Sequence, residues 1–203
     1  PWLRSRELDF FVAEISTLRS EPDLVVEPLP EHALYFVGRR DHPLARRKDV
    51  KLGDTFAFPF AAPARIPPRL LAPMLSAKAR SADGASLARP FPAIECNAVS
   101  TVKHVVEGSD ALTALTLSCM ATELLDRRLV LIGSEPWLSV HYGVVRLKDR
   151  AMSSSAARLR EFIVEAEAAM SVEESHLLER CGADGVPPHA APRRRKTSAR
   201  VPR

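Results

Sequence analysis

Hydrophobic and polar positions alternate in two distinct patterns along the first 170 residues. Short apolar runs rich in Val, Phe and Tyr predict strands, because β-branched and aromatic side chains suit a pleated backbone. The runs are "ELDFFVAEI", "DLVVEPL", "HALYFVGRR", "TFAFPFAAP", "FPAIEC", "DALTALTL", "LVLI" and "SVHYGVVRL". Pro28 and Pro30 lie between the second and third runs and predict a bend there, since proline lacks the N–H donor that a strand ladder needs.

Helical periodicity predicts three main helices between these runs. Residues 66–80 place four apolar side chains on one face: Ile66, Leu70, Met74 and Leu75. The helix after Asn97 ends at Gly108 and turns four valines toward the core: Val99, Val102, Val105 and Val106. Met152 to Met170, capped by the serines at 153–155, carries the longest stripe: Leu159, Phe162, Ile163, Ala166 and Met170. "SCMATELLDRR" predicts a shorter helix. Strands that alternate with helices predict an α/β fold with parallel crossovers.

Charge is distributed unevenly along the chain. The segment "RRDHPLARRKDVKLGD" predicts a charged surface turn around His42–Pro43. The net charge of +4 includes six basic residues between Ala190 and Arg203, which leaves −2 for the rest. A mildly acidic remainder does not favour a nucleic-acid face. Residues 171–203 are rich in proline and poor in large apolar side chains, so we predict a disordered basic tail, and contact with phosphates remains the alternative.

The cysteines, histidines and known motifs of the sequence argue against several classes of site. Three cysteines without CxxC spacing indicate a reducing, cytoplasmic location. No apolar run approaches the roughly 20 residues of a membrane helix. The histidines show no HExxH spacing, which predicts no metal site. His104 and His141 have no carboxylate or nucleophile partner readable in the sequence, so we expect His104 on a helix surface and His141 on a strand that faces solvent or the lobe interface. Because there is also no GxSxG motif and no glycine-rich phosphate loop, we predict no catalytic residue, no cofactor and no enzyme.

Four segments carry a resemblance to a known family. They are "RSRELDFFVAE", "VVEPLPEHALYFVGRRDHPLA", "IECNAVSTVKHVVEGSDALTALT" and "SVHYGVVRLKDRAMSSSAARLREFI". In this order and spacing, over about residues 3 to 170, they resemble the C-terminal effector-binding domain of LysR-type transcriptional regulators. The second segment is the most specific. Arg6 and Thr116 depart from the pattern, which usually has glycine and proline at these places.

The resemblance implies a two-lobed, periplasmic-binding-protein-like α/β domain whose lobes are joined by two crossing strands. The family's opening strand, helix and strand have no counterpart here, and the chain does not begin with Met, so we expect a fragment with an incomplete first lobe. The implied division is residues 1–55 for partial lobe one and residues 56–138 for lobe two. Residues 139–170 then return to lobe one as a strand and a final helix.

Two helix N-termini are candidate binding positions, because ligands of doubly wound sheets bind at the carboxyl ends of strands. The candidate residues at these two positions are Ala62, Pro63, Asn97, Ser100 and Thr101. A carboxylate would suit the free N–H groups there. The resemblance adds Thr116, which takes the place where the family usually has proline beside the cleft. The alternative is that Asn97 is only a helix cap and Ser100 only a first-turn residue. We expect Arg65 to be solvated.

The resemblance implies a small-molecule effector-sensing domain that works as a homo-oligomer. It reaches DNA only through an N-terminal winged helix-turn-helix that this sequence lacks. A stand-alone solute-binding domain of the same architecture is the alternative function. An α/β enzyme is a third class, but it requires a catalytic constellation that the sequence does not show.

Overall fold

The computed structural model describes residues 3–5, 7–16, 18, 21–63, 66–81 and 84–181. The strands in these residues are β1 (Phe10–Glu14), β2 (Leu24–Arg39), β3 (Ala61–Pro63), β4 (Ile94–Cys96), β5 (Thr113–Leu115) and β6 (Leu129–Leu147). The helices are α1 (Leu52–Thr55), α2 (Pro68–Arg80), α3 (Gly84–Ala88), α4 (Val99–Glu107), α5 (Ala121–Leu125) and α6 (Ser154–Arg180), with a 3-10 turn at Ser118–Met120. This mixture confirms the predicted α/β class. None of the described helices is long and apolar enough to cross a membrane.

A long antiparallel ribbon of β2 and β6 runs through the molecule. Each strand was predicted as two separate strands, and those predictions are wrong, because "DLVVEPL" and "HALYFVGRR" form one strand and "LVLI" and "SVHYGVVRL" another. The predicted bend at Pro28 and Pro30 is instead a shift of register between Pro28 and Glu31, where two residues without an N–H interrupt the ladder. β1 pairs with β6 and β5 pairs with β2, which gives an antiparallel sheet of order β1-β6-β2-β5.

Parallel pairing among the described residues is confined to β3 with β4 and to a bridge between Phe60 and Leu112. The expected parallel crossovers therefore occur only between β3, β4 and β5, where α2 and α4 connect the strands, and the expectation is wrong for the four-stranded sheet. "TFAFPFAAP" forms a strand only over its last three residues, since Thr55 already belongs to α1. The division into lobes at residues 56 and 139 stays a prediction.

Two hydrophobic clusters fill the opposite faces of β2. Because successive side chains of a strand point to opposite faces, Phe36 joins one cluster, whereas Tyr35 and Val37 join the other. The first cluster includes Leu44, Phe56, Phe60, Leu70, Met74 and Leu112. The second includes Val102, Val106, Leu115, Met120, Leu129 and Leu177. The predicted valine face of α4 is confirmed, since Val99 and Val105 also pack against the second cluster.

The apolar face of α2 differs from the prediction by one residue. Leu70 and Met74 are buried as expected, and Ile66 packs against them. Leu75 is 44% exposed, so its assignment to this face is wrong. Ala77 takes its place, because the spacing of 70, 74 and 77 keeps to one side of a helix.

The turn at His42 is anchored in the protein rather than solvated. His42 is only 2% exposed, although its charged neighbours at 46–49 lie in water as predicted. Its Nδ1 accepts the N–H of Leu44 at 3.1 Å, and its Nε2 lies 3.2 Å from the backbone oxygen of Asp110. Burial lowers the pKa of His42, which favours the neutral ring that this pair of contacts requires.

α6 is longer than its sequence pattern predicted. Ser153 caps it by accepting the N–H of Ala156, which confirms the predicted serine cap. The helix continues to Arg180 instead of ending at Met170, so residues 171–180 of the predicted disordered tail are helical. Residues 182–203, which hold the basic cluster, lie outside the described residues. The predicted inner stripe is partly wrong, since Leu159 and Phe162 are 52% and 66% exposed. Leu177, in the unpredicted extension, is buried.

Candidate ligand-binding cleft

A cleft of about 310 Å³ lies where β2 and β6 meet α2 and the end of β5. Its volume is in the range of sites that hold small molecules. The lining is dominated by apolar side chains from separate elements, among them Leu34, Phe60, Leu70, Met74, Leu138 and Val140. Larger hollows of about 490 and 770 Å³ lie beside β1 and beside the end of β6, away from the predicted site residues.

The structure brings together half of the predicted site residues. Ala62, Pro63 and Thr116 all line the cleft, although they come from β3 and from the turn after β5. Asn97, Ser100 and Thr101 are exposed and are not among its lining residues. α4 reaches the cleft through Val99 instead.

The predicted cap at Asn97 is wrong. The N-cap of α4 is Ala98, and no side chain caps this end of the helix. The assignments of all six residues to a binding site stay predictions. Arg65 lies outside the described residues.

An ion pair joins α2 to β1 at the wall of the cleft. Arg69 Nε donates to Glu14 Oε1 at 2.9 Å, and Arg69 Nη2 donates to the backbone oxygen of Ser139 at 2.6 Å. The other carboxylate oxygen of Glu14 accepts the N–H of Ser16 at 3.1 Å and its hydroxyl at 2.5 Å. Burial alone would raise the pKa of Glu14, but the hydrogen bonds from Ser16 and Arg69 hold it below its ordinary value. Glu14 is therefore ionised at neutral pH.

A chain of polar contacts connects the cleft to α6. Thr116 Oγ1 lies 3.0 Å from Ser118 Oγ, and the Ser118 N–H donates to Glu174 Oε1 at 3.0 Å. Glu174 Oε2 lies 2.8 Å from Nδ1 of His32, and Glu167 Oε2 lies 2.9 Å from Nε2 of the same ring. The hydrogen bond to Glu174 raises the pKa of His32 although burial opposes it, so the ring favours the imidazolium form, which donates from both nitrogens.

The two histidines singled out in the sequence differ in their surroundings. His104 is exposed on α4, as expected. His141 lies 3.0 Å from Glu31, a carboxylate partner that could not be read from the sequence. The two residues face each other across the β2–β6 ribbon, where the hydroxyl of Ser139 also donates to Glu31. Among the described residues, no group of three or more His, Cys, Asp and Glu side chains is arranged to hold a metal ion.

The domain has the arrangement of a two-lobed ligand-binding domain of the periplasmic-binding-protein type. Its two long strands β2 and β6 run side by side, an apolar cleft lies beside them, and parallel crossovers occur on one side. Comparison with known families identifies the family to which the chain belongs. The LysR substrate binding domain matches residues 1–168, and the chain belongs to this family. The resemblance drawn from the four sequence segments is thereby confirmed.

Relatives support the same assignment. The chain is 32% identical over 166 residues to the SDS degradation transcriptional activation protein of a Pseudomonas species, covering 79% of this chain and 51% of the relative. It therefore spans about half the length of that curated protein. Hydrogen-peroxide-bound OxyR of Corynebacterium glutamicum, a C206S mutant, has a TM-score of 0.61 at 19% identity, covering 94% of this chain and 56% of that protein.

A second solved structure is limited to the corresponding domain. The effector-binding domain of QuiR in complex with shikimate has a TM-score of 0.57 at 18% identity. The alignment covers 83% of this chain and 76% of that domain. At such identities these structures show the shared fold, and the family is one of effector-sensing domains of transcriptional regulators.

Proposed function

We propose that this chain senses a small-molecule effector in the cleft between β2, β6 and α2, as part of a LysR-type transcriptional regulator. The observation that carries the proposal is the convergence of Ala62, Pro63 and Thr116 on one cavity of about 310 Å³, although they lie far apart in the sequence. Related regulatory domains have been solved with shikimate and with 2-PG, which supports a small metabolite as the class of ligand.

The lining favours an effector with an extended apolar part. Leu34, Leu70, Leu138 and Val140 offer aliphatic surface, whereas the polar groups expected at the helix N-terminus, Ser100 among them, lie outside the cleft. Burial of apolar ligand surface contributes about 25 cal/mol per Å². The curated relative is named for the degradation of SDS, a molecule with a twelve-carbon chain, and this agrees with an alkyl-bearing effector.

The remaining parts of the function belong to the whole regulator. We propose that it binds DNA through an N-terminal winged helix-turn-helix, works as a homo-oligomer and is cytoplasmic. The family is one of regulators rather than enzymes, and the cleft presents no nucleophile activated by a neighbouring base among its described lining residues. We therefore propose that the domain has no catalytic activity.

Calorimetric titration of the chain with 1-octanol, shikimate and octyl sulfate tests this proposal. Octanol and octyl sulfate should bind, since each carries an alkyl chain, and Ala114→Phe should abolish binding because Ala114 lines the cleft and the larger ring fills it. Ala169→Phe, at an exposed position of α6 that does not line the cleft, is the matched control and should leave the affinity unchanged. Alkyl binding that survives Ala114→Phe, or none in the wild type, would show that the cleft is not the sensor.

A further inference from the structure

We propose that the outer face of α6 binds the same face of a second copy of the chain, with the Phe162 ring of each copy in a hollow beside α5 of the other. The inference rests on the part of the proposed function that makes the regulator a homo-oligomer, and it adds the surface through which two copies meet. The exposed side chains that form this surface are called the outer row: Leu159, Phe162, Ala166, Ala169, Glu173 and His176.

The outer row presents apolar surface that the described fold leaves in water. Its members recur every three or four residues and therefore share one face of the helix. Leu159 and Phe162 are 52% and 66% exposed, and Val172 beside the row is 56% exposed. The opposite face of α6 holds the domain together, through the ion pair that Arg160 makes with β2 and through the burial of Leu177. An exposed aromatic ring on such a helix is of the kind that is enriched in contacts between proteins.

A hollow of about 510 Å³ lies between the last turns of α6, the 3-10 turn and α5. Its apolar lining consists of Ala121, Leu125, Met170 and Leu177. Leu125 is 47% exposed, so the α5 wall of the hollow is open to water. Glu173 and His176 of the outer row line it as well, which places the hollow at the C-terminal end of the row that carries Phe162.

The charged side chains of the hollow do not oppose an aromatic ring. Glu173 and Arg180 are exposed, so both stay in water at its rim. Glu174 is already engaged by His32 and by the N–H of Ser118. A guanidinium beside an aromatic face is favourable, which makes Arg180 a contributing contact.

The spacing of the ring and the hollow is self-complementary. Phe162 and Glu173 are eleven residues apart, which is about 16 Å along an α-helix. A two-fold axis across the midpoint of this interval, between Ala166 and Ala169, places each Phe162 at the hollow of the other copy, because such an interface makes every contact twice. The small side chains at the midpoint let the two helices approach closely.

Charges at the ends of the outer row match in the same antiparallel arrangement. It brings Arg158 of one copy opposite Glu179 of the other, whereas a parallel pair would set like charges against each other. The side chain of Arg158 is 87% exposed and Glu179 is exposed, so both are accessible to a second copy. An exposed ion pair adds little affinity but fixes the orientation, so the ring and the hollow supply most of the binding.

Sedimentation velocity of the chain from about 2 to 500 μM tests the inference, because a small interface binds weakly. The wild type should pass from the 22.4 kDa monomer to the dimer as the concentration rises. Phe162→Ser and Leu125→Ser should each raise the dimer dissociation constant by about tenfold or more, because a few central contacts dominate such interfaces. Leu75→Ser, which replaces an exposed leucine of α2, is the matched control and should leave the constant unchanged.

Three further variants identify the arrangement. Phe162→Ser combined with Leu125→Ser should raise the dissociation constant by clearly less than the product of the single effects, because the two residues share one contact. Arg158→Glu should weaken the dimer by about threefold, and adding Glu179→Arg should restore it. Ala169→Phe should prevent the close approach of the helices and abolish the dimer, while its unchanged affinity for 1-octanol would show that the domain is folded.

The outcomes separate the inference from the proposed function. A chain that stays a monomer at the highest concentration would overturn the inference, whereas effector sensing is judged by the calorimetric titration alone. A dimer that Phe162→Ser leaves intact would keep the homo-oligomer but move its interface elsewhere, which also overturns the inference. Additive effects of the two serine variants, or a charge reversal that the double variant does not restore, would exclude the antiparallel pairing.

Discussion

Replacing His32 by leucine should destabilise the domain by about 3 kcal/mol, because the ring is held between two carboxylates of α6. His32 is 5% exposed, whereas the side chains of Glu167 and Glu174 are 25% and 12% exposed. Each hydrogen bond to a charged group contributes about 1.5–3 kcal/mol. Leucine recovers roughly 1.5–3 kcal/mol by apolar burial but leaves two like charges facing an apolar side chain, which adds a further cost.

The pH dependence of this stabilisation follows from two pKa shifts. The hydrogen bond to Glu174 raises the pKa of His32 above 6.5, so its contribution is complete below pH 6.5 and is lost as pH rises through the raised value. Burial raises the pKa of Glu174, but hydrogen bonds from His32 and Ser118 bring it below 4.5, so its contribution is lost as pH falls through that lowered value. The free energy of unfolding of the wild type should exceed that of His32→Leu by the largest amount between pH 4.5 and 6.5.

Calorimetric unfolding of wild type and His32→Leu from pH 5 to 10 measures the effect. For a chain of this size a loss of 3 kcal/mol lowers Tm by about 6–12 °C. The difference should shrink at alkaline pH. Arg158→Gln removes an exposed ion pair of the same helix and should shift Tm by no more than about 1–2 °C. A Tm difference between wild type and His32→Leu that grows with alkaline pH, or is absent at pH 6, would refute a stabilising contact of protonated His32 with Glu167 and Glu174.

Three further outcomes are expected. In a denaturant titration, Gly143→Ala should lower the free energy of unfolding by about 1–3 kcal/mol, since its Cβ would lie 2.8 Å from the backbone oxygen of Glu27. Gly133→Ala is the control and should leave the free energy of unfolding nearly unchanged, because a Cβ there meets open space. Leu177→Ala should lower the free energy of unfolding by about 2–4 kcal/mol in chemical denaturation, because Leu177 is buried in the second core cluster. A loss below about 0.5 kcal/mol would mean that the last turns of α6 do not pack against this cluster. Amide exchange should be slow in α4 and fast in the edge strand β1, and equal protection of the two would contradict the sheet order.

Local patterns in the sequence predicted most of the elements but not the tertiary arrangement of the sheet. The valines of α4 and the serine cap of α6 follow from spacing and cap chemistry, which act within a few residues. The union of two predicted strands into β2 could not be read from its sequence. Pro28 and Pro30 are ordinary breakers, and only the partner strand shows that they are absorbed by a register shift.

The polar contacts of the site were harder to predict because they join distant segments. Glu14 and Arg69 are 55 residues apart, and His32 and Glu174 are 142 apart. No periodicity links such positions. Glu174 also lies beyond the residues that match the family, so the resemblance gave no reason to examine it. Ala62 and Pro63 were predicted because they end a strand, and Thr116 because the family usually has proline at its place; all three line the cleft.

The continuity of β2 and β6 determines how this domain can be recombined with its relatives. A chimera that exchanges only residues 56–138 would take its β5 from one parent and the β2 that pairs with it from the other. It would also divide β6 between parents near Leu138, which is 1% exposed in the first core cluster. Exchanges that carry β1, β2, β5 and β6 together keep every pairing of the four-stranded sheet within one parental sequence. This sheet, and not either lobe, is therefore the smallest unit that a chimera can take from one parent without new strand pairings.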